Sequence, residues 1–407
     1  MNKQNNIGRY LLAAGLAAAA VGTGSAAHAS EFGVAVAQTK PILDVRVRYE
    51  NVDQANFLQE ADALTLRVRA GFETGKAWDT SFLAEFDWVE SIVGDYNSTA
   101  NGKTMFPTVA DPQDVELNRL QLTNGSLPQT TITLGRQRIN LDDQRFVGNV
   151  GWRQNEQTFD AVRVVNKSIP KLTVDLAYLI QVNRIFGPDS VQGRWNGDNF
   201  LANAGYDLGF GTLSVFGYWL NFRESAVNSS QTFGARFSGK QSFSGVTLNY
   251  AASVATQSDW KNNPIDYSVM YYMAEGSAAW KGIMVGGGWE SLGGDGVKGF
   301  ATPLATLHKF QGWADVFLTT PAGGITDTYA KAGYTMKNVG PFSSVSLLSF
   351  YHWFDSENGG ADLGQEFDIS LTAAYKKFEF TVKFADYDAE TFGVDTQKIW
   401  FQIDYKL

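Results

Sequence analysis

The feature that most restricts this chain is a period-two alternation of apolar and charged residues, recurring from Leu43 to the final residue, Leu407. Leu43, Val45, Val47 and Tyr49 alternate with Asp44, Arg46, Arg48 and Glu50. Leu64, Leu66, Val68, Ala70 and Phe72 are set against Thr65, Arg67, Arg69 and Glu73, and Phe82, Ala84, Phe86 and Trp88 against Ser81, Glu85 and Asp87. Side chains two residues apart share one face of a strand, so each segment has an apolar and a polar side. A soluble sandwich shows the same alternation, so the pattern alone does not choose between sandwich and membrane barrel.

The connections make that choice. Further strands are predicted near 116–124, 129–137, 158–166, 171–181, 199–207, 211–221, 231–240 and 244–255, and then near 266–280, 283–291, 326–336, 343–354, 365–375, 378–386 and 397–407. With the first three this makes about 18, an even number. Short turns at Gly75-Lys76, Asn124-Gly125, Lys281-Gly282, Asn338–Gly340 and Lys376-Lys377 alternate with long segments at 90–115, 138–157, 182–198 and 292–325. Short periplasmic turns and long extracellular loops produce this rhythm in a transmembrane antiparallel β-barrel; a sandwich does not. The last strand sets Ile399, Phe401, Ile403, Tyr405 and Leu407 against Trp400, Gln402, Asp404 and Lys406, an apolar face unsuited to a soluble sheet edge. Tyr49, Trp88, Trp219, Trp289, Trp353 and Tyr375 fall near strand ends, where interfacial girdles lie.

The N-terminus reads as an export signal. Lys3 and Arg9 precede an apolar run from Leu11 to Val21, and Ala27-His28-Ala29 fits a cleavage site. Residues 1–29 are therefore expected to be removed, leaving 30–407 as a single barrel domain in the bacterial outer membrane, with membrane lipid as its surroundings. No later apolar run is long enough for a spanning helix, and only a closed barrel crosses a bilayer without one. There is no cysteine, and the formal charge of −9 argues against nucleic acid as a partner.

Assigning the polar face to the lumen places Arg46, Arg48, Arg67, Arg69, Arg119, Arg163 and Arg236 inside, with Asp44, Glu50, Glu85, Asp87, Asp175, Glu275, Glu290, Asp327, Glu366, Asp368 and Glu379. No arginine follows Arg236, so one arc of the wall is guanidinium-rich and the other carries carboxylate, lysine and aromatic groups. Segment 131–165 adds Arg136, Arg138, Arg145 and Arg153 among many polar neighbours, a content that apolar surroundings could not accommodate. Its centre, 138–157, suits a loop folded over or into the pore. Leu134 and Arg136 would share a face under strict alternation, so a bulge or strand end is expected near Gly135. These arginines either pair with internal carboxylates or form an arc that passes an anion from one guanidinium to the next. Segment 292–325, with its own apolar residues, is the second candidate cover, and His308, Lys309, Trp313 and Asp315 are its gating candidates.

Leu134-Gly135-Arg136-Gln137-Arg138-Ile139, Phe146-Val147-Gly148, Gly151 to Ala161, Gly293-Gly294-Asp295-Gly296 and the segment from Thr302 to Asp315 together resemble the alginate export family. The resemblance implies an 18-stranded outer-membrane barrel with an arginine-rich lumen, loops acting as gates, an acidic polysaccharide or oligosaccharide as cargo, and periplasmic secretion partners.

No catalytic set stands out. Beyond the leader only His308 and His352 remain, neither in a nucleophile motif. Asp142-Asp143 is more simply a loop pair meeting Arg138 and Arg145. Asp295 and Asp315 match no calcium-loop spacing. The sequence therefore reads as a channel for anionic solutes, with no enzyme activity, cofactor or metal expected. The alternatives are a general or uptake porin for small organic anions, or a loop-closed structural or receptor barrel without flux.

Overall fold

The computed structural model describes residues 26–407, so most of the expected leader lies outside the described residues. A helix, α1 (Ala26–Ala37), contains the Ala27-His28-Ala29 triplet and leads into the first strand. The first third of the barrel comprises β1 (Lys40–Gln54), β2 (Ala61–Glu73), β3 (Thr80–Asp95), β4 (Asp114–Asn124), β5 (Thr130–Gln137) and β6 (Thr158–Asn166). The middle third is β7 (Leu172–Asn183), β8 (Arg194–Asp207), β9 (Thr212–Leu220), β10 (Ser230–Phe243), β11 (Val246–Asp259) and β12 (Ser268–Trp280). It ends with β13 (Ile283–Leu292), β14 (Ile325–Val339), β15 (Phe342–Asp355), β16 (Asp362–Tyr375), β17 (Phe378–Ala389) and β18 (Thr396–Lys406).

Each strand pairs antiparallel with its sequence neighbours in one 18-stranded sheet, and β1 also pairs with β18, for example Val45 opposite Tyr405. That last pairing closes the barrel and removes both sheet edges. The apolar face points outwards: Phe86, Trp88, Leu134, Trp289, Trp353, Phe401 and Ile403 are all exposed, as lipid-facing residues must be. Their neighbours Arg48, Asp87 and Trp400 are fully buried on the lumen side. Among the described residues no helix is long and apolar enough to cross a membrane. The chain is an outer-membrane β-barrel.

Strand boundaries differ from expectation mainly on the long-loop rim. β3 continues to Asp95, pairing Leu64 with Val93 and Asp62 with Asp95 past a register shift, so its loop is 96–113 rather than 90–115. β8 begins at Arg194, which shortens the next long loop to 184–193. In both places the strand rises above the apolar belt, where alternation carries no hydrophobic signal. The 138–157 loop falls where the sequence puts it. The tight turns also match; at the β12–β13 turn both Lys281 (φ 47°) and Gly282 (φ 88°) adopt the left-handed conformation that two-residue hairpins require.

Gly135 has a φ of 110°, and a Cβ there would collide with the Leu120 carbonyl. The backbone distortion lies within continuous pairing to β4 and β6, two residues before β5 ends. No register shift occurs in those ladders at Gly135; the nearby bulges are instead at Glu85/Phe86 and Asp160/Ala161 on adjoining strands.

Candidate functional site

The lumen is not an open tube. Loop 138–157 folds inwards, and its Phe146 ring crosses to the far wall, 4.9 Å from Phe216 and 5.2 Å from Tyr271 (centroid to centroid). Loop 293–324 folds in to meet it. Val147 and Leu304 form a bridge, Gly148 donates its N–H to the Leu304 carbonyl at 2.8 Å, and Gln157 donates to the same carbonyl at 3.0 Å. Thr306 donates its backbone N–H to the Gln144 carbonyl at 3.1 Å. Arg145 fastens both loops to the wall, donating to Glu290 at 2.7 Å, Gln311 at 3.0 Å and Thr302 at 3.3 Å. Apolar cover and charge-assisted bonds together give the loops one defined conformation.

Every arginine singled out from the sequence has a carboxylate partner. Arg69, Arg119, Arg136 and Arg163 make two-pronged bonds to Asp87, Glu85, Asp160 and Asp175 respectively. Arg153 forks onto Glu50, with both N···O distances 3.1 Å. Arg46 meets Asp404 at 2.8 Å, Arg67 meets Asp44 at 2.5 Å, and Arg48 lies 3.5 Å from Asp111 with its other donors on Gln402 and the Trp152 carbonyl. Arg236 reaches Asp143 at 3.0 Å, across the lumen from the rest of the arc. Of the adjacent loop pair, Asp143 thus pairs with Arg236, while Asp142 accepts from Asn203.

Glu156 is the hub of this network. It receives Arg138 at 2.5 Å, Arg69 at 3.2 Å, and the amides of Asn118 and Asn149, each at 2.6 Å. Burial acts to raise its pKa, but the guanidiniums of Arg69 and Arg138 outweigh burial and hold it at about 2. A depressed carboxylate stabilises the fold fully above its ordinary value and loses that contribution as pH falls through the folded one. Loop 138–157 is therefore expected to loosen between about pH 4.5 and 2 while the barrel persists. Tryptophan fluorescence, reporting Trp152, and strand circular dichroism would follow the two events. A fluorescence signal flat over that range would contradict the assignment.

On the other side of the lumen, the two loops with β12 to β15 and β17 line a cavity of about 400 Å³. Phe310, Trp313, Tyr329 and Phe350 supply rings, and Lys309, Lys331 and Lys383 supply cations. Its carboxylates are already engaged: Glu275 by Lys331 at 2.9 Å, Glu290 by Arg145 and Tyr271, and Asp327 by His352 at 2.9 Å. Gly312 has a φ of 79° and leaves no room for a Cβ beside Glu366, whose carboxylate accepts the backbone N–H groups of Trp313 and Ala314.

The four gating candidates lie in this region. His308 stacks on Trp152 at 4.7 Å with the rings 7° from parallel, and pairs with Asp315 at 2.8 Å. Burial, opposed by Asp315, brings its pKa down to about 3, so the ring is neutral at pH 7. Asp315 also reaches Lys398 at 3.2 Å and Arg153 at 3.9 Å, joining its loop to β18 and to the other loop. Lys309 is exposed and donates to the Asp143 carbonyl at 2.7 Å. Trp313 lies under Lys383, whose Nζ is 3.6 Å from the ring centroid.

Lys383 is the residue that sequence reasoning missed. Its only signal was its place on the inward face of β17, between the exposed Phe380 and Val382 on the lipid side and the partly buried Phe384. The ring nitrogens of His308 and His352 face charged groups, His308 between Asp315 and Lys383, His352 between Asp327 and Asp368. Among the described residues no cluster of three or more His, Cys, Asp or Glu side chains could hold a metal ion.

No family model matches this sequence, and no curated protein matches it. Solved structures do match in fold. Pseudomonas aeruginosa OpdK with vanillate is 14% identical at a TM-score of 0.71, covering 91% of this chain and 99% of that one. OpdO from the same organism is 16% identical at 0.72, covering 92% and 99%. Acinetobacter baumannii OccAB4 is 12% identical at 0.70, covering 91% and 98%. Another structure of OpdK is described as an outer membrane protein. These neighbours overturn the resemblance to the alginate export family. The residues that carried it belong to the two inward loops and their anchors.

Proposed function

We propose that this porin takes up small organic anions rather than exporting an acidic polymer. The supporting observation is that two loops fold into an 18-stranded barrel and border a cavity of about 400 Å³. That volume lies within the ~300–1,000 Å³ typical of small-molecule sites. Its rings suit an apolar body and its lysines a carboxylate, and the presence of vanillate in one fold neighbour agrees with that chemistry. Polysaccharide cargo and secretion partners, expected from the family resemblance, have no comparable support.

Liposomes carrying the purified barrel provide the test. Swelling in sodium benzoate is expected to be faster than in an uncharged solute of similar size, and a uronate oligomer should give almost none. Equal swelling in benzoate and the neutral solute, or rapid entry of the oligomer, would contradict the reading. No swelling in any solute would favour a closed barrel.

A further inference from the structure

Each lumen arginine already has a carboxylate within 4 Å, and so do Lys331 and Lys398. Lys383 does not. It is buried, it borders the cavity, and among the described residues no carboxylate lies within 4 Å of its Nζ. Its one hydrogen-bond partner is His308 Nε2 at 2.6 Å. The neutral His308 ring donates from Nδ1 to Asp315, so Nε2 is the acceptor and takes one of the three ammonium hydrogens. The faces of Trp313, Trp152 and Trp400, with centroids at 3.6, 4.4 and 5.4 Å, surround the rest. Ring faces attract a cation but do not replace the hydrogen bonds lost from water.

Resting on the uptake reading above, we infer that Lys383 is the anchor for the carboxylate of a monocyclic aromatic acid, and that the paired arginine arc is not. Two of its N–H groups have no hydrogen-bond acceptor in the protein, which leaves the ammonium able to donate a charge-assisted hydrogen bond to a solute carboxylate. Phe310 and Phe350 border the same cavity and offer surface for the ring. His308 positions the ammonium through Nε2, and Asp315 fixes the ring orientation that makes Nε2 an acceptor. Lys309 faces the cavity too but is exposed, so it is already hydrated and has less to gain from a solute anion.

The experiment is benzoate block of single channels in planar bilayers, comparing wild type with Lys383→Gln, Lys383→Arg and Lys309→Gln. Heat-dependent electrophoretic mobility confirms that each barrel is folded. Lys383→Gln is expected to raise the half-blocking concentration about tenfold or more, the loss of one charged hydrogen-bonding contact. Lys383→Arg should retain most of the affinity, and Lys309→Gln should shift it less than Lys383→Gln. Unchanged block in Lys383→Gln, or a larger loss in Lys309→Gln, would overturn the anchor while leaving the uptake reading intact. Wild-type channels that neither bind nor pass benzoate would instead remove the uptake reading itself.

Discussion

Replacing residues 300–318 with a short flexible linker is expected to raise single-channel conductance by roughly threefold or more, because barrels of 16–18 strands otherwise enclose an aqueous channel. The removed segment carries Phe300, Leu304, Ala305, Ala314 and Phe317, all buried, and the groups that meet loop 138–157 and the wall. None of it belongs to a strand, so the closed sheet and its outward apolar face are untouched. Selectivity should fall as conductance rises, since the linker removes Trp313 from beneath Lys383 and one wall of the cavity. Planar-bilayer recording checks both. A variant with wild-type conductance would place the constriction elsewhere.

The second large effect is on stability. Glu156→Gln removes one charge at the point where Arg69 and Arg138 converge; Arg69 keeps Asp87 at 2.6 Å and Arg138 keeps Glu85 at 3.2 Å, so each guanidinium loses one of its carboxylate partners. The loss of charged hydrogen-bonding contacts at this buried carboxylate costs about 1.5–3 kcal/mol, since each guanidinium retains a second carboxylate. Glutamine preserves shape, so the loss reflects charge rather than packing. The exposed pair Arg223–Asp198, 3.7 Å apart with both side chains more than half accessible, is the control. Asp198→Asn should change stability by less than about 1 kcal/mol. Urea midpoints of barrels in vesicles would compare the two. Equal effects would mean that the lumen network is solvated and contributes little.

The sequence made the barrel legible because period-two patterning is a local property. Strand number, tight turns, the 138–157 loop and the outward face of β18 can all be read from residues a few positions apart. The lumen was only half legible. Alternation correctly sends Arg69 and Glu85 inwards, but it does not say that Arg145 crosses to Glu290 or that Arg236 reaches Asp143. Those partners are chosen by the path of two irregular loops, which no periodicity encodes. The uneven distribution of arginine directed attention to the guanidinium arc, yet charge count is not charge availability. With the singled-out arginines paired, the buried cation left facing the cavity is a lysine on the opposite arc, unmarked in sequence because what distinguishes Lys383 is the lack of a carboxylate within 4 Å among the described residues. The family resemblance failed as well: its motifs lie in and beside the two inward loops, and the fold neighbours belong elsewhere.

The central claim is a constricted channel that favours small organic anions, and its zero-current potential tests it most directly. In a planar bilayer separating concentrated from dilute potassium benzoate, the wild-type channel should give the sign of potential set by benzoate crossing faster than potassium. A potential of the opposite sign, with potassium the more permeant ion, would contradict the account.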